Sequence, residues 1–318
     1  VATDSSANVY VTGYTEGGLD GNTNAGDEDN NSIGANFDMF LVKYDSSGTK
    51  QWTQQLGTSN MDVATGVATD SSDNVYVTGY TRGGLDGNTI AGWQDMFLVK
   101  YDSSGTKQWT QQLGTESEYG RLLETMANGV ATDSSDNVYV AGYTKGHLDG
   151  NTNVGRESFA DIFLVKYDSS GTKQWTKQLG TEYYDLANAV ATDSSGNIYV
   201  TGITPVHDIL DGNTVTDPCW VPEPWTCNDM FVVKYDSSGT KQWTVEFGTD
   251  SKDEANGIAT DFSGNIYVTG ETVYQMDSNM NAGPEGTSDM FLVKYNSSGT
   301  FQSCGEMEIK NDGSKGEC

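Results

Sequence analysis

The chain has 318 residues, 35% of them hydrophobic, with 45 acidic against 17 basic side chains. The formal charge of −28 repels nucleic-acid phosphates and anionic lipid headgroups, so we expect neither nucleic acid nor a membrane surface as a partner. No apolar run approaches the ~18 residues of a membrane span. Because the chain begins inside a repeat without an initiating Met or an apolar leader, we expect a processed mature protein or an excerpt.

Five similar segments make up nearly all of the sequence. Each opens with Val/Ile-Ala-Thr-Asp, near residues 1, 67, 130, 190 and 258. Each later contains Asp-Met/Ile-Phe-Leu/Val-Val-Lys-Tyr, beginning at Asp38, Asp95, Asp161, Asp229 and Asp289. Repetition at a nearly fixed period indicates supersecondary units that stack on one another or are arranged in a ring.

Taken in chain order, the second segment predicts four strands. These are a short run at Gly66–Asp70 and longer runs at Val75–Thr81, Asp95–Tyr101 and Lys107–Leu113, all rich in β-branched or aromatic residues. Four antiparallel strands in about 60 residues are typical of one propeller blade. We therefore predict an all-β fold, a single five-bladed β-propeller of four-stranded antiparallel blades, over residues 1–303.

Because strand direction alternates, successive connections lie at two opposite edges of each blade. The tight turns, such as Asp102-Ser103-Ser104-Gly105-Thr106, fall on one edge and are nearly the same in every segment. We interpret their aspartates as turn formers, because Asp accepts hydrogen bonds from backbone amides just ahead of it. The loops on the other edge differ in length and composition, and there we expect any localised function.

Three sequence motifs recur in the same order along the chain. They are Asn-Val-Tyr-Val-Thr-Gly-Tyr-Thr, Leu-Asp-Gly-Asn-Thr, and Asp-Met-Phe-Leu-Val-Lys-Tyr-Asp-Ser-Ser-Gly-Thr-Lys-Gln-Trp-Thr. Together they resemble the bacterial β-propeller repeat family called SBBP. The resemblance implies a secreted or surface propeller without catalysis. The fifth segment departs from it, with Met276-Asp277-Ser278-Asn279 for Leu-Asp-Gly-Asn and Phe301-Gln302-Ser303 for Lys-Gln-Trp.

The cysteines form two local pairs, Cys219 with Cys227 and Cys304 with Cys318. Their spacing is not that of metal ligands, so we predict two disulfides and an oxidising compartment, although four cysteines allow three pairings.

Residues 304–318 are predicted to form a disulfide-stapled tail. In one interpretation the tail seals the ring as a closing strand; in the other, terminal strands are exchanged between copies, which gives a fibre or surface array. The candidate assembly residues are Val1, Ala2, Thr3, Met307 and Ile309.

Calcium is the candidate cofactor, and no other is expected. Carboxylate and amide oxygens suit this ion. The candidate ligands are Asp20, Asn22, Asp27, Asp29, Asn31 and Asp38. In the acidic loop Asp27–Asp38, the residues Asp27, Asp29, Asn31 and Asp38 match four ligand positions of an EF-hand. The loop lacks the glycine, the bidentate Glu and the flanking helices of that motif. The alternative is an Asx-stabilised loop whose Leu packs into the blade.

Trp220 and Trp225 lie within the Cys219–Cys227 loop. They either present rings for sugar stacking or partner docking, or form a small local core. Asn30 and Asn296 each begin a glycosylation sequon.

We predict a non-enzymatic structural or adhesive protein, extracellular or on the cell surface, whose partners are other copies of itself. The alternative is a calcium-dependent carbohydrate-binding module that recognises cell-surface glycans. Glycoside hydrolysis needs carboxylates in unlike environments, whereas the repeated aspartates occupy equivalent positions.

Overall fold

The computed structural model of the chain describes residues 1–26, 36–116, 123–154, 159–205, 210, 228–249, 251–273 and 288–306, with side chains as far as residue 302. In this part of the chain, twenty strands form five separate four-stranded antiparallel sheets. The strands of each sheet follow one another in sequence order. The predicted all-β class is confirmed, and so is the four-stranded repeat.

Each sheet is one repeat of the sequence. The first strands are β1 (Ala2–Thr3), β5 (Asp62–Thr69), β9 (Thr125–Thr132), β13 (Leu186–Thr192) and β17 (Asp253–Thr260). The second strands are β2 (Val9–Thr15), β6 (Val75–Thr81), β10 (Val138–Thr144), β14 (Ile198–Pro205) and β18 (Ile266–Thr272). The third strands are β3 (Asp38–Tyr44), β7 (Asp95–Tyr101), β11 (Asp161–Tyr167), β15 (Asn228–Tyr235) and β19 (Asp289–Tyr295). The fourth strands are β4 (Lys50–Leu56), β8 (Lys107–Leu113), β12 (Lys173–Leu179), β16 (Lys241–Phe247) and β20 (Phe301–Glu306).

Sheet 2 shows how closely local pattern determines the strands. β6, β7 and β8 have the predicted bounds, whereas β5 begins at Asp62 rather than Gly66. The pairing of β5 with β6 shifts between Ala64 and Gly66, so a β-bulge interrupts the alternation that marks a strand. At the other end of the chain, β20 extends to Glu306, three residues past the predicted end of the propeller at 303.

Sheets 1 and 2, sheets 2 and 3, and sheets 4 and 5 pack face to face. We call the face that contacts the next sheet the forward face, and the face that contacts the preceding sheet the backward face. The forward face of sheet 1, with Tyr10, Met39 and Leu41, packs on Val77 and Phe97 of the backward face of sheet 2. Sheets 2 and 3 share a core of the same composition, and so do sheets 4 and 5. Each fully buried large apolar side chain in these layers stabilises the fold by roughly 1.5–3 kcal/mol.

The chain contacts divide into two compact units. One comprises Val1–Asn153 and Phe163–Gln178, and the other Val154–Ile162 and Leu179–Cys318. The apolar layers described above each lie within one unit. Among the described residues, no helix is long and apolar enough to cross a membrane.

Candidate functional site

The predicted turn former Asp102 accepts hydrogen bonds from the backbone amides of Ser104 (3.0 Å) and Thr106 (2.9 Å). The aspartates at the first turn of each sheet are turn formers of the same kind. The carboxylate of Asp70 accepts hydrogen bonds from the backbone of Ser72 (3.0 Å) and Asn74 (2.9 Å). It also accepts one from the Asn74 side chain (2.8 Å) and one from the buried hydroxyl of Tyr76 (2.9 Å). The same bonds surround Asp4, Asp133, Asp193 and Asp261. Hydrogen bonds from Asn265 lower the pKa of Asp261 to about 2, so this carboxylate is ionised at neutral pH.

On the loop edge, Asp20 and Asn22 of the predicted calcium site bind their own surroundings. Asp20 pairs with Lys50 and accepts a hydrogen bond from Thr53 (2.5 Å), while the Asn22 amide donates to the Leu19 carbonyl (2.7 Å). The equivalent Asp86 and Asp149 are held in the same way by a lysine and a threonine. The leucines that correspond to Leu19 in the later repeats, Leu85, Leu148 and Leu210, are fully buried. These contacts favour the Asx-stabilised loop, and calcium binding here stays a prediction.

Several predicted residues lie outside the described part of the chain. They are Asp27, Asp29, Asn31, Trp220, Trp225, Met307 and Ile309, together with Cys219, Cys227, Cys318 and the side chain of Cys304. At the other terminus, Ala2 and Thr3 pair with β2 inside sheet 1, and Val1 is exposed. The disulfide, sugar-stacking and strand-exchange hypotheses therefore stay predictions.

A second set of aspartates on the loop edge is buried in pairs. The sixth candidate calcium ligand, Asp38, opens β3, and its Oδ2 atom accepts hydrogen bonds from the Ala25 amide and Gln55 (both 2.9 Å). Its Oδ1 atom is buried without a hydrogen-bond partner among the described residues. Asp62, at the start of β5, accepts hydrogen bonds from Thr58 and Thr81. Burial and then the charge of Asp38 raise the pKa of Asp62 to about 6 against these hydrogen bonds.

Two similar pairs occur in the second unit, Asp161 with Asp185 and Asp229 with Asp253. Burial, with a smaller contribution from the charge of Asp161, raises the pKa of Asp185 to about 7. Burial and the charge of Asp253 likewise raise the pKa of Asp229 to about 7. A Cβ atom on Gly248 would overlap the Asp229 carboxylate and lie 3.0 Å from Oδ2 of Asp253, so both carboxylates flank this glycine. Only glycine leaves room for the pair.

The junction between sheets 2 and 3 replaces one aspartate of the pair. Thr125 occupies the position of Asp62, and its hydroxyl lies 3.0 Å from that of Thr144. Both carboxylate oxygens of Asp95, the equivalent of Asp38, accept backbone hydrogen bonds, from Gly92 (3.0 Å) and Ala91 (2.8 Å). One chain thus contains paired and unpaired versions of the same junction.

In each pair, the pKa of one carboxyl is raised, first by its burial and second by the charge of its neighbour. Calcium takes six to eight oxygen ligands, whereas the Asp185 oxygens already accept three hydrogen bonds from Thr181 and Thr204. No group of three or more His, Cys, Asp or Glu residues suited to a metal ion occurs in the described ranges.

Sequence reasoning missed the second aspartate of each pair. The available signal was Gly-Thr followed by Asp five residues after the glycine, at 57–62, 180–185 and 248–253. The spacing is lost at Gly114-Thr115, where the connection to β9 is longer.

Comparison with known proteins supports the repeat assignment. The sequence model of a family described as Beta-propeller repeat, SBBP, matches residues 51–86, 108–149, 174–204 and 242–272. The chain contains SBBP repeats. Each match begins in the fourth strand of one sheet and reaches the second strand of the next or the loop after it. The SBBP repeat is therefore offset from the sheet. The matched segments contain Asp62, Asp185 and Asp253, but none of their third-strand partners.

Two relatives align with this chain. The Regulatory protein FlaEY of Caulobacter vibrioides is 29% identical over 243 residues, which are 72% of this chain and 25% of that protein. The Uncharacterized WD repeat-containing protein L264 of Acanthamoeba polyphaga mimivirus is 25% identical over 213 residues, 57% of this chain and 15% of that protein. The aligned region is thus a minor part of both relatives.

Solved structures show only distant similarity. Hydrazine synthase from Kuenenia stuttgartiensis matches 87% of this chain and 64% of its own, at 9% identity and a TM-score of 0.48. XC5397 from Xanthomonas campestris, a gluconolactonase, matches 83% of this chain and 70% of its own, at 10% identity and a TM-score of 0.40. Similarity at this level carries no argument about activity.

Proposed function

We propose that this chain is a non-enzymatic structural or adhesive module, secreted or displayed on a cell surface, built from consecutive SBBP blades. Its loop edge would meet partners, and its tight turns and sheet faces would build the scaffold. The net charge of −28 supports the extracellular placement, because self-repulsion keeps an exposed repeat array soluble.

One observation carries the proposal: the repeated polar and aromatic side chains join successive sheets. Third-strand lysines donate to a turn carbonyl of the next sheet at 2.9–3.1 Å, in Lys43–Ser103, Lys100–Ser169 and Lys234–Ser297. Fourth-strand tryptophans lie against a turn glycine of the next sheet, in Trp52–Gly105, Trp109–Gly171 and Trp243–Gly299. These lysine and tryptophan side chains, which could otherwise bind a ligand or take part in catalysis, instead hold neighbouring sheets together.

A binding and turnover assay tests the role. We expect the purified chain to bind no member of a glycan array, with or without calcium, and to hydrolyse no glycoside or lactone in a substrate panel. Glycan binding by a stable monomer would instead support the carbohydrate-binding module, and turnover would overturn both functions. Brief proteolysis of intact source cells should release peptides of this chain if it is displayed at the surface.

Closure of the five sheets into one ring stays a prediction. Class averages of negatively stained particles would test it, since five blades around a central channel are recognisable at low resolution.

A further inference from the structure

One tight turn of sheet 5 carries a sequence motif for covalent modification. In every sheet the same five-residue turn joins the third strand to the fourth. In four sheets the turn reads Asp-Ser-Ser-Gly-Thr and begins at Asp45, Asp102, Asp168 and Asp236. In sheet 5 the first residue is Asn296, which creates the sequon Asn296-Ser297-Ser298 for attachment of a glycan to an Asn amide. This copy of the turn therefore has an amide nitrogen where the others have a carboxylate oxygen.

The turn is closed in the same way by Asn296 as by aspartate. The Oδ1 atom of Asn296 accepts hydrogen bonds from the backbone amides of Ser298 (3.0 Å) and Thr300 (2.9 Å) and from the Ser298 hydroxyl (2.7 Å). The matching atom of Asp102 accepts the same three hydrogen bonds in sheet 2. Because one oxygen is enough to close the turn, the fold of the turn does not require the amide.

Asn296 and the aspartates differ at the second polar atom of the side chain. Backbone amides only donate, so Oδ1 of Asn296 faces them and Nδ2 takes the place of the second carboxylate oxygen. In Asp102 that oxygen accepts a hydrogen bond from Gln108 (2.9 Å). The equivalent Gln302 donates to two backbone carbonyls, at 3.2 and 3.1 Å. Among the described residues nothing accepts a hydrogen bond from Nδ2 of Asn296, so no hydrogen bond in this part of the chain has to break before that nitrogen reacts.

The accessibility of the turn is a property of the hairpin that contains it. Asn296 is half-exposed, and Ser297 and Ser298 are exposed. Asp102 is half-exposed as well, and the two serines after it are exposed, although sheet 2 packs against both sheet 1 and sheet 3. Access to this position therefore does not depend on whether a further sheet follows.

Sheet 4 holds the turn without using the Asn296 side chain. The Lys234 amine donates to the Ser297 carbonyl (2.9 Å), and the Trp243 ring lies against Gly299. Equivalent contacts hold the turns of sheets 2 and 3. A substituent on Nδ2 of Asn296 would leave these contacts in place.

We propose that Asn296 is an N-glycosylation site, created by the exchange of aspartate for asparagine in the fifth turn. The reaction joins Nδ2 of Asn296 to C1 of an oligosaccharide that is carried on a polyprenyl phosphate or diphosphate. The bond between C1 and the phosphate oxygen breaks, the lipid phosphate leaves with the bonding electrons, and the amide loses one proton to solvent. The proposal rests on the extracellular placement in the proposed function, because such sequons are modified in secreted proteins.

The glycan would lie at the turn edge of sheet 5. The aspartates that begin the other four turns have no N–H group, so the same modification is excluded in sheets 1 to 4. An oligosaccharide is bulky and strongly hydrated. It would therefore shield the turn edge of this sheet and leave the loop edge free for partners.

Peptide mapping by mass spectrometry, on the chain isolated from its source cells, tests the proposal. We expect the peptide that contains Asn296 to carry the added mass of an oligosaccharide, with fragment ions that place it on this residue. The sequence has one other sequon, at Asn30, so the two peptides are scored separately. A peptide unmodified at Asn296 would overturn the proposal. If surface proteolysis released that same unmodified chain, the structural role would stand, so the two failures are distinguishable.

Three variants, secreted from a host that glycosylates Asn-X-Ser/Thr sequons, sharpen the test. Asn296→Asp restores the sequence of the other turns, so it should lose the glycan at this site completely and keep the urea midpoint of the deglycosylated chain. Ser298→Ala keeps the asparagine but breaks the sequon, and it should lose the glycan as well. Asp102→Asn is the matched gain of function, because it creates the same sequon in sheet 2 and should add a glycan there. If position 296 stayed unmodified in this host, with or without modification at position 102, the proposal would fail.

Discussion

Strand β13 has an aspartate at each end, and the two behave differently although both are almost completely buried. Asp193 follows the strand on the turn edge and accepts four hydrogen bonds of 2.8–2.9 Å, from Ser195, Asn197 and Tyr199. Asp185 precedes the strand on the loop edge and accepts three, from Thr181 and Thr204. Burial alone would raise the pKa of Asp193, but its hydrogen bonds outweigh burial and lower it. At Asp185, burial and the nearby Asp161 outweigh the hydrogen bonds, and the pKa rises to about 7.

The comparison shows that a small exposed area does not by itself decide whether a carboxylate is ionised. Asp185 is buried more deeply than Asp193, accepts one hydrogen bond fewer and lies near a second carboxylate. The turn edge therefore holds anions that stabilise the fold at neutral pH, and the loop edge holds acids that destabilise it when they ionise.

The largest effect is expected from Asp193→Ala. The substitution leaves two backbone amides, the Asn197 side chain and the buried Tyr199 hydroxyl without their acceptor, so we expect a loss of about 3 kcal/mol of unfolding free energy. Urea unfolding followed by tryptophan fluorescence measures it. Asp193→Asn, which keeps one acceptor oxygen, should lose clearly less. Equal losses in the two variants would mean that the hydrogen bonds do not carry the effect.

The pH dependence of stability should have an acidic optimum. Asp62, Asp185 and Asp229 have folded pKa values of about 6, 7 and 7, above the ordinary 3.8. Between pH 3.8 and these values the folded chain binds more protons than the unfolded chain, so stability falls as the pH rises from about 4 to 7. Below pH 4, stability falls again as turn aspartates such as Asp261, with a pKa of about 2, become protonated. Urea midpoints across this range, in high salt to screen the net charge, would show the maximum.

The variant Asp185→Asn tests the effect of the Asp161–Asp185 pair separately from the effect of the net charge of the chain. Asn resembles the protonated acid, so the variant should be more stable than the unmodified chain at pH 8, by roughly 1–3 kcal/mol, and almost equal to it at pH 4. The unpaired junction supplies the control, because Thr125→Ser removes no ionisable group and should leave the pH profile unchanged. If the stability of Asp185→Asn fell with rising pH as steeply as that of the unmodified chain, ionisation of Asp185 would not destabilise the fold.

Most of the fold could be predicted from the sequence because its determinants are local. The bounds of β6, β7 and β8 follow from alternation and the turns beside them, and the bonds around Asp193 involve residues at most six positions away. The start of β5 was missed because a bulge breaks the alternation at Ala64.

The carboxylate pairs could not be derived in the same way. Asp161 and Asp185 belong to different repeats, and only the stacking of successive sheets brings such residues together. The five-residue spacing from glycine marks one member, but nothing in the sequence near Asp161 indicates its partner.

The smallest effect is expected from Asp20→Asn, a third kind of aspartate on the loop edge. Asp20 is exposed, and its pairing with Lys50 is of the surface type that contributes little to stability. Its φ of 54° favours Asn over Ala as the replacement, since Asn tolerates the left-handed region. We expect no measurable change in the urea midpoint, with calcium or with chelator. Calcium that stabilises the unmodified chain but not Asp20→Asn would instead establish the metal site that the Leu-Asp-Gly-Asn motif suggests, and would set Asp20 apart from both the turn aspartates and the buried pairs.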